Sequence, residues 1–259
     1  MLGRGSLRNT AIAFLCSAIV AGLLGACGHA PRPSVRYVFL QDKSESVWNA
    51  AFTDRCQAAF GQVAADAAAT RGSLTVETVD QNPLVDSGTP VDVSFAPPAS
   101  IADNPAYADP WLRALQSDAA NKMAATLKSP PTASGTDLFD AMLLADRVFR
   151  RPASSSAAAN TLVVCSDMLN VSAVANFNAF DFGSKADQAL LEELAQDRLL
   201  PSWKDLNVRV LVVGGGTNTN GQTTASRLLE VQRFWTAYFR QVGTTLVGWN
   251  STLPPGEGG

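Results

Sequence analysis

The stretch from Val35 has strand character, and in it the apolar residues Tyr37, Val38, Phe39 and Leu40 follow one another without a break. The run stops at Asp42-Lys43-Ser44-Glu45-Ser46, and helical spacing begins at once with Val47 and Trp48. That spacing predicts a helix over 47–68, with Trp48, Phe52, Ala59 and Val63 near one face. Gly72 breaks it, and a second strand is predicted over 74–79. After a turn-rich stretch over 80–89, Val91, Val93 and Phe95 alternate with Asp92 and Ser94. Period-two alternation marks a half-exposed strand, and the short link predicts a hairpin that leaves this strand antiparallel at an edge.

A Pro- and Ala-rich connection over 96–110 leads to a helix over 110–128, on which Leu112, Leu115, Ala119, Met123 and Leu127 keep helical spacing. Pro130-Pro131 ends it. The tight loop Ser134-Gly135-Thr136-Asp137 opens a helix over 137–150, with Leu138, Met142, Ala145 and Phe149 on one face. Small and polar residues over 151–160 read as a loop. A buried strand over 161–166 follows, with Asp167 at its carboxyl end. The long loop over 168–183 carries Phe177, Phe180 and Phe182, and a helix covers 185–199. The apolar strand over 208–213 ends in Gly214-Gly215-Gly216. In the last helix, 224–242, Leu228, Val231, Trp235 and Tyr238 face inward, and Gly243 is the C-cap. A final strand covers 244–249. Strands alternating with helices predict an α/β fold: a doubly wound, mostly parallel sheet with one antiparallel edge strand and helices on both faces. Right-handed crossovers place the turns after the strands along one edge, and binding sites in such sheets collect there.

Composition adds an address. The chain has 259 residues, 46% hydrophobic and 17% charged, enough for one domain with a sizeable core. Arg4 and Arg8 precede an apolar run over 11–24 that is too short to span a bilayer reliably. Without them, 18 basic residues face 23 acidic ones, a balance of −5. No basic block follows, which argues against binding nucleic acid through charge. The apolar run ends in Leu24-Gly25-Ala26-Cys27, which resembles a bacterial lipobox. The resemblance implies a signal peptide over 1–26, lipidation of Cys27, and a lipid-anchored tether over 27–34. An ordinary signal peptide cut near Ala26 is the alternative. Gly28 rather than Asp follows the cysteine, which by resemblance to lipoproteins of diderm bacteria points to the outer membrane. The stretch 28–34 extends to roughly 25 Å at most, so the domain over 35–250 would sit close to the bilayer. Residues 251–259 read as a flexible tail. In an oxidising compartment Cys56 and Cys165 could pair, or each could be a buried apolar thiol.

The chemistry concentrates at the first turn. A strand that ends in a carboxylate and two alternating hydroxyls, just before a helix, offers hard oxygen donors suited to Mg²⁺ or Mn²⁺. Asp42, Ser44 and Ser46 supply this turn, Thr136 lies in a Gly-Thr-Asp loop, and Asp167 ends a central strand. In this order the five residues resemble the metal-ion-dependent adhesion site of the von Willebrand factor A domain family, across roughly residues 35–249. The resemblance implies that Ser44 and Ser46 coordinate Mg²⁺ directly. Thr136 would bind directly or through water, and Asp42 and Asp167 largely through water and hydrogen bonds. One position would stay open for a Glu or Asp carboxylate of a protein partner. Two departures stand out: Met168 where the family often has Gly, and Glu45 adding negative charge at the rim.

Other chemistry is weaker. His29 is the only histidine and lies in the tether, which argues against a Ser-His-Asp triad or a His-rich zinc site. Thr219 stands where a Gly-x-Gly-x-x-Gly fingerprint needs its last glycine. Asp137 and Asp140 lie near Thr136, but no general base or second metal site accompanies them, so an enzyme is not expected. Phe177, Phe180 and Phe182 would either form an apolar partner contact or tuck their loop onto the core. Asn170-Val171-Ser172 matches a glycosylation sequon that a bacterial lipoprotein would not use. The expected function is binding of a protein partner through a Mg²⁺ site by a lipid-anchored envelope protein; the alternative is a metal-independent scaffold in an envelope assembly.

Overall fold

A computed structural model describes residues 33–86, 88–131, 133–152, 159–215 and 224–250. The leader, Cys27, His29, Gly216, Thr219 and the tail lie outside these residues, as does part of the 151–160 loop. Six strands form one sheet: β1 (Val35–Asp42), β2 (Ser73–Val79), β3 (Val91–Ser94), β4 (Ala159–Cys165), β5 (Val208–Val213) and β6 (Thr245–Asn250). Their order is β3-β2-β1-β4-β5-β6. All neighbours are parallel except β2 and β3, where Leu74 faces Val93 in an antiparallel pair at the edge. This is the doubly wound, Rossmann-like arrangement that the strand–helix alternation predicts.

The helices are α1 (Ala50–Ala69), the single turn α2 (Pro83–Asp86), α3 (Pro105–Lys128), α4 (Leu138–Phe149), α5 (Ser184–Gln196) and α6 (Ala225–Val242). Side chains alternate across each strand, so the central strands feed two cores. Tyr37, Phe39, Val163 and Cys165 pack with Phe52, Phe60, Met123 and Leu127 of α1 and α3. Val38, Leu40, Leu162, Val164 and Val210 pack with Phe139, Met142, Leu194, Phe234 and Trp235 of α4, α5 and α6. Burial on both faces is why the middle of β1 and the middle of β4 read as continuous apolar runs rather than alternating ones, whereas β5 exposes Arg209. Among the described residues no helix is long and apolar enough to cross a membrane.

Several boundaries move, for local reasons. Trp48 does not join the inward face of α1. A 3₁₀ turn, Glu45–Val47, precedes it, and the Asn49 side chain accepts a hydrogen bond from the Phe52 amide at 2.9 Å. Asn49 is therefore the N-cap, and Trp48 lies outside the helix, 44% exposed, with its ring 5.1 Å from the Lys43 ammonium. Helix α3 starts five residues earlier than its apolar spacing predicts, because Asn104 caps it and Pro105 takes the first position. Pro110 then sits inside the helix, where its missing N–H leaves the Ala106 carbonyl without the usual partner. Gly243 adopts φ 88° and closes α6 as a left-handed cap, as predicted. Gly72 has to be glycine, since a Cβ there would lie 1.9 Å from the Val35 carbonyl oxygen.

Strand β1 and the residue that follows it also supply two buried cations to helix ends. Arg36 donates to the carbonyls of Val148 and Phe149 at the end of α4. Lys43 donates to the Thr126 carbonyl at 2.9 Å and to Ser129 Oγ at 3.0 Å, at the end of α3. Each puts positive charge at the negative end of a helix dipole. The open question about the cysteines resolves as a bond: Cys56 and Cys165 form a disulfide with Cα atoms 5.9 Å apart. Closing a loop whose ends are 109 positions apart in sequence removes about 4–5 kcal/mol of unfolded-state freedom in the chain-entropy account.

Candidate metal centre

Strand order reverses between β1 and β4. The chain leaves β1 toward the face covered by α1 and leaves β4 toward the face covered by α5, which opens a crevice at the carboxyl ends of these two strands. Asp42 is the last residue of β1. The register pairs Gln41 with Cys165, so Ser166 lies opposite Asp42, and Asp167 stands one residue further out on the same edge.

Asp42 is the hub. It is 3% exposed. Its Oδ1 accepts the Ser44 amide at 2.9 Å and the Thr136 hydroxyl at 2.8 Å, and its Oδ2 accepts the Ser166 hydroxyl at 2.6 Å. The hydroxyls of Ser44 and Ser46 are 3.1 Å apart. Direct hydrogen bonds therefore join Asp42, Ser44, Ser46 and Thr136, and the β1–β4 register brings Asp167 alongside. The Asp167 carboxylate accepts the Leu169 amide at 3.0 Å. Burial raises the Asp42 pKa, and its hydrogen bonds from Ser166, Ser44 and Thr136 oppose the rise. Burial likewise raises Asp137, whose Oδ1 caps α4 by accepting the Phe139 and Asp140 amides.

The loops that carry these groups are stitched to each other. The Lys43 amide donates to Val79, Glu45 to Ala133, Asp137 to Asp80, Val171 to Thr136, and Ser166 to Val213, all through backbone carbonyls. Gly135 permits one of these approaches, since a Cβ there would lie 2.8 Å from the Val171 carbonyl oxygen. Asn170 of the sequon is fully buried: its Oδ1 accepts the Leu138 amide at 2.8 Å and its Nδ2 donates to the Ala175 carbonyl at 2.7 Å. It anchors the long loop to the start of α4.

Two residues matter here that the sequence pattern did not single out for this role. Ser166 holds the second oxygen of Asp42 and accepts the Met168 amide at 2.9 Å. Met168 adopts φ 66°, the left-handed region that favours glycine, and its carbonyl accepts the Trp235 indole N–H at 3.0 Å.

The expectation of an apolar partner contact on the long loop needs correction at Phe177. Its ring is fully buried among Phe139, Phe234 and Trp235, so it belongs to the core. Phe180 and Phe182 are half-buried against it, and the Arg227 guanidinium covers Phe182 at 5.1 Å. The three rings fasten the loop. Near the crevice, Trp48 is the more exposed large apolar side chain.

Whether the donors suit a cation follows from their chemistry. Among the described residues no group of three or more His, Cys, Asp or Glu side chains converges, so a cation at this edge would rely on hydroxyls. Hydroxyls and carboxylates are hard donors of the kind that Mg²⁺ takes. An octahedron with bonds of 2.0–2.1 Å has adjacent oxygens about 2.9 Å apart. The 3.1 Å between the Ser44 and Ser46 hydroxyls is close to that edge. The chemistry of the donors suits such a cation, while their spacing is that of an ordinary hydroxyl–hydroxyl hydrogen bond. A neighbouring cleft of about 360 Å³ is lined by Lys43, Thr78, Thr89 and Ser129 among others. Its hydroxyls are already engaged: Thr78 with Gly88, Thr89 with Glu77, Ser129 with Thr126 and Lys43. No family model matches this chain, and no curated protein matches it.

Proposed function

We propose that this chain is a lipid-anchored envelope protein whose von Willebrand A-like domain binds a protein partner through a Mg²⁺- or Mn²⁺-dependent site. The observation that carries the reading is the Asp42-centred network at the strand-order reversal, with the Ser44 and Ser46 hydroxyls 3.1 Å apart. Ser44 and Ser46 would hold the ion directly. Asp42 orients Thr136 and the Ser44 amide and, with Asp167, supplies negative charge. The ion would supply an electrophilic position for a partner's carboxylate. Few direct anionic ligands leave such an ion attractive to an outside acid, while exposed Glu45 at the rim selects against strongly acidic surfaces. The lipobox-like Leu24-Gly25-Ala26-Cys27 supports the anchor.

A second reading rests on a separate observation. Both Asp42 oxygens are already satisfied by protein donors, so the network is self-consistent without an ion. That favours a metal-independent scaffold subunit. Capture from solubilised envelopes separates the two. The full chain is used as bait in Mg²⁺, in chelator, and as Ser44→Ala, a change that removes a single hydroxyl. The adhesion reading expects a partner retained in Mg²⁺ and lost in both other cases. A partner retained in all three would replace it with the scaffold reading.

A further inference from the structure

The Cys56–Cys165 disulfide joins the two elements from which the halves of the candidate site emerge. Cys165 is the last residue of β4. The next residue, Ser166, holds Asp42 Oδ2 at 2.6 Å, and Asp167 follows it. Cys56 lies in the second turn of α1, the helix that begins just after the Ser44–Ser46 turn and its Asn49 cap. Both cysteines are fully buried, on the side of the sheet that α1 covers. Close packing reinforces the same junction: a Cβ on Gly214, just past β5, would come 2.4 Å from Phe52 of α1. Thr136 reaches the site by another route, through its hydroxyl to Asp42 and its carbonyl to Val171. The covalent bond therefore spans the serine half and the Ser166–Asp167 half.

We infer that this disulfide is a clamp that fixes the spacing between Ser44/Ser46 and Ser166/Asp167, so that Cys56 and Cys165 are positioning residues for cation binding, beyond their effect on global stability. The inference rests on the metal-binding reading above, although its local part can be tested without metal. Outer-shell supports of metal ligands typically change affinity 10–100-fold when removed, because the ligands lose their fixed spacing.

The test uses the full chain in mild detergent, wild type against Cys56→Ala/Cys165→Ala. A second variant, Cys56→Val/Cys165→Ala, refills the apolar volume and serves if the first does not fold. Binding is read with Mn²⁺ alone, from the loss of the free-ion paramagnetic resonance signal. Hydrogen exchange is read in parallel without metal, in denaturant adjusted to equal global stability. The clamp predicts Mn²⁺ affinity about 10–100-fold weaker in the variant. It also predicts lost protection at the amides of residues 44–47 and 166–170, with β5 and α6 unchanged. Equal Mn²⁺ affinity in both proteins would overturn the inference, as would an even loss of protection across the domain. If wild type binds no Mn²⁺, the metal reading fails and the exchange pattern alone decides the clamp.

Discussion

At the residue scale, the candidate site is organised around a carboxylate that the protein has already wrapped. Asp42 receives the Ser44 amide and the Thr136 and Ser166 hydroxyls, so its orientation is fixed from three segments. Met168 stands beside this arrangement in a conformation unfavourable for a residue with a Cβ, by about 1–2 kcal/mol. The same residue is fully buried, and truncating a buried Met costs about 2–5 kcal/mol. These two effects separate in a pair of variants. Met168→Ala loses the packing and keeps the strain, whereas Met168→Gly loses the packing and relieves it. Urea denaturation should show both variants less stable than wild type, with the glycine variant the better by about 1 kcal/mol. Equal stabilities, or a worse glycine variant, would remove strain from the description of this loop. The turn after β1, the Gly-Thr-Asp loop before α4 and the end of β4 were legible as pattern breaks, whereas the set of five as candidate ligands came from a resemblance to a motif. Ser166 was not legible, since one hydroxyl at the end of an apolar strand carries no periodic signal. Met168 was legible only as a departure from a motif, without its backbone cause.

At the element scale, the helices cover the sheet unequally. Helices α1 and α3 pack on one face, over β1, β2, β3, β4 and the end of β5, while α4, α5 and α6 pack on the other face, mainly over β1, β4 and β5. On that second face β2 and β3 present Thr75, Glu77 and Asp92, with Arg151 reaching across to both carboxylates at 3.5–3.7 Å. Glu77 is 1% exposed; its Oε2 accepts the Thr89 hydroxyl at 2.6 Å, and among the described residues its Oε1 has no hydrogen-bond partner. Burial raises its pKa, and the Thr89 bond and Arg151 offset this only in part. For a carboxyl with a raised folded pKa, the stability contribution is fully present below the unfolded pKa and is lost as pH rises through the folded one. Glu77→Gln should therefore melt higher than wild type at pH 7, with the gap closing as pH falls toward about 4. A gap that is absent at pH 7, or that widens in acid, would contradict this. The sequence could not have shown it, because residues 73–79 read as an ordinary buried strand and the polar neighbours that gather around Glu77 are a tertiary fact. Element existence was legible wherever apolar spacing was long. Starts were misplaced where a cap decided them, at Asn49 and Asn104. The disulfide was undecided for a related reason, since spacing along the chain does not say that α1 lies over the end of β4.

At the scale of the whole molecule, one topological event explains why the ligands meet. The strand order β3-β2-β1-β4-β5-β6 reverses between β1 and β4, and the chain exits these strands to opposite faces. Asp42, Ser44, Ser46 and Asp167 follow those two strands, and Thr136 enters from the start of α4 against the same edge. Alternating strands and helices were enough to predict this edge as the place for a site. The proposed role goes one step further and turns on a single property, whether this edge binds a divalent cation. The most direct test is calorimetric titration of the full chain with Mg²⁺ and Mn²⁺, alongside Ser44→Ala and Asp42→Asn. Asparagine keeps the shape of Asp42 while removing its charge. The account predicts saturable binding in the wild type, a matching metal-dependent rise in melting temperature, and loss of both in the two variants. Binding absent in the wild type, or unchanged in both variants, would contradict it.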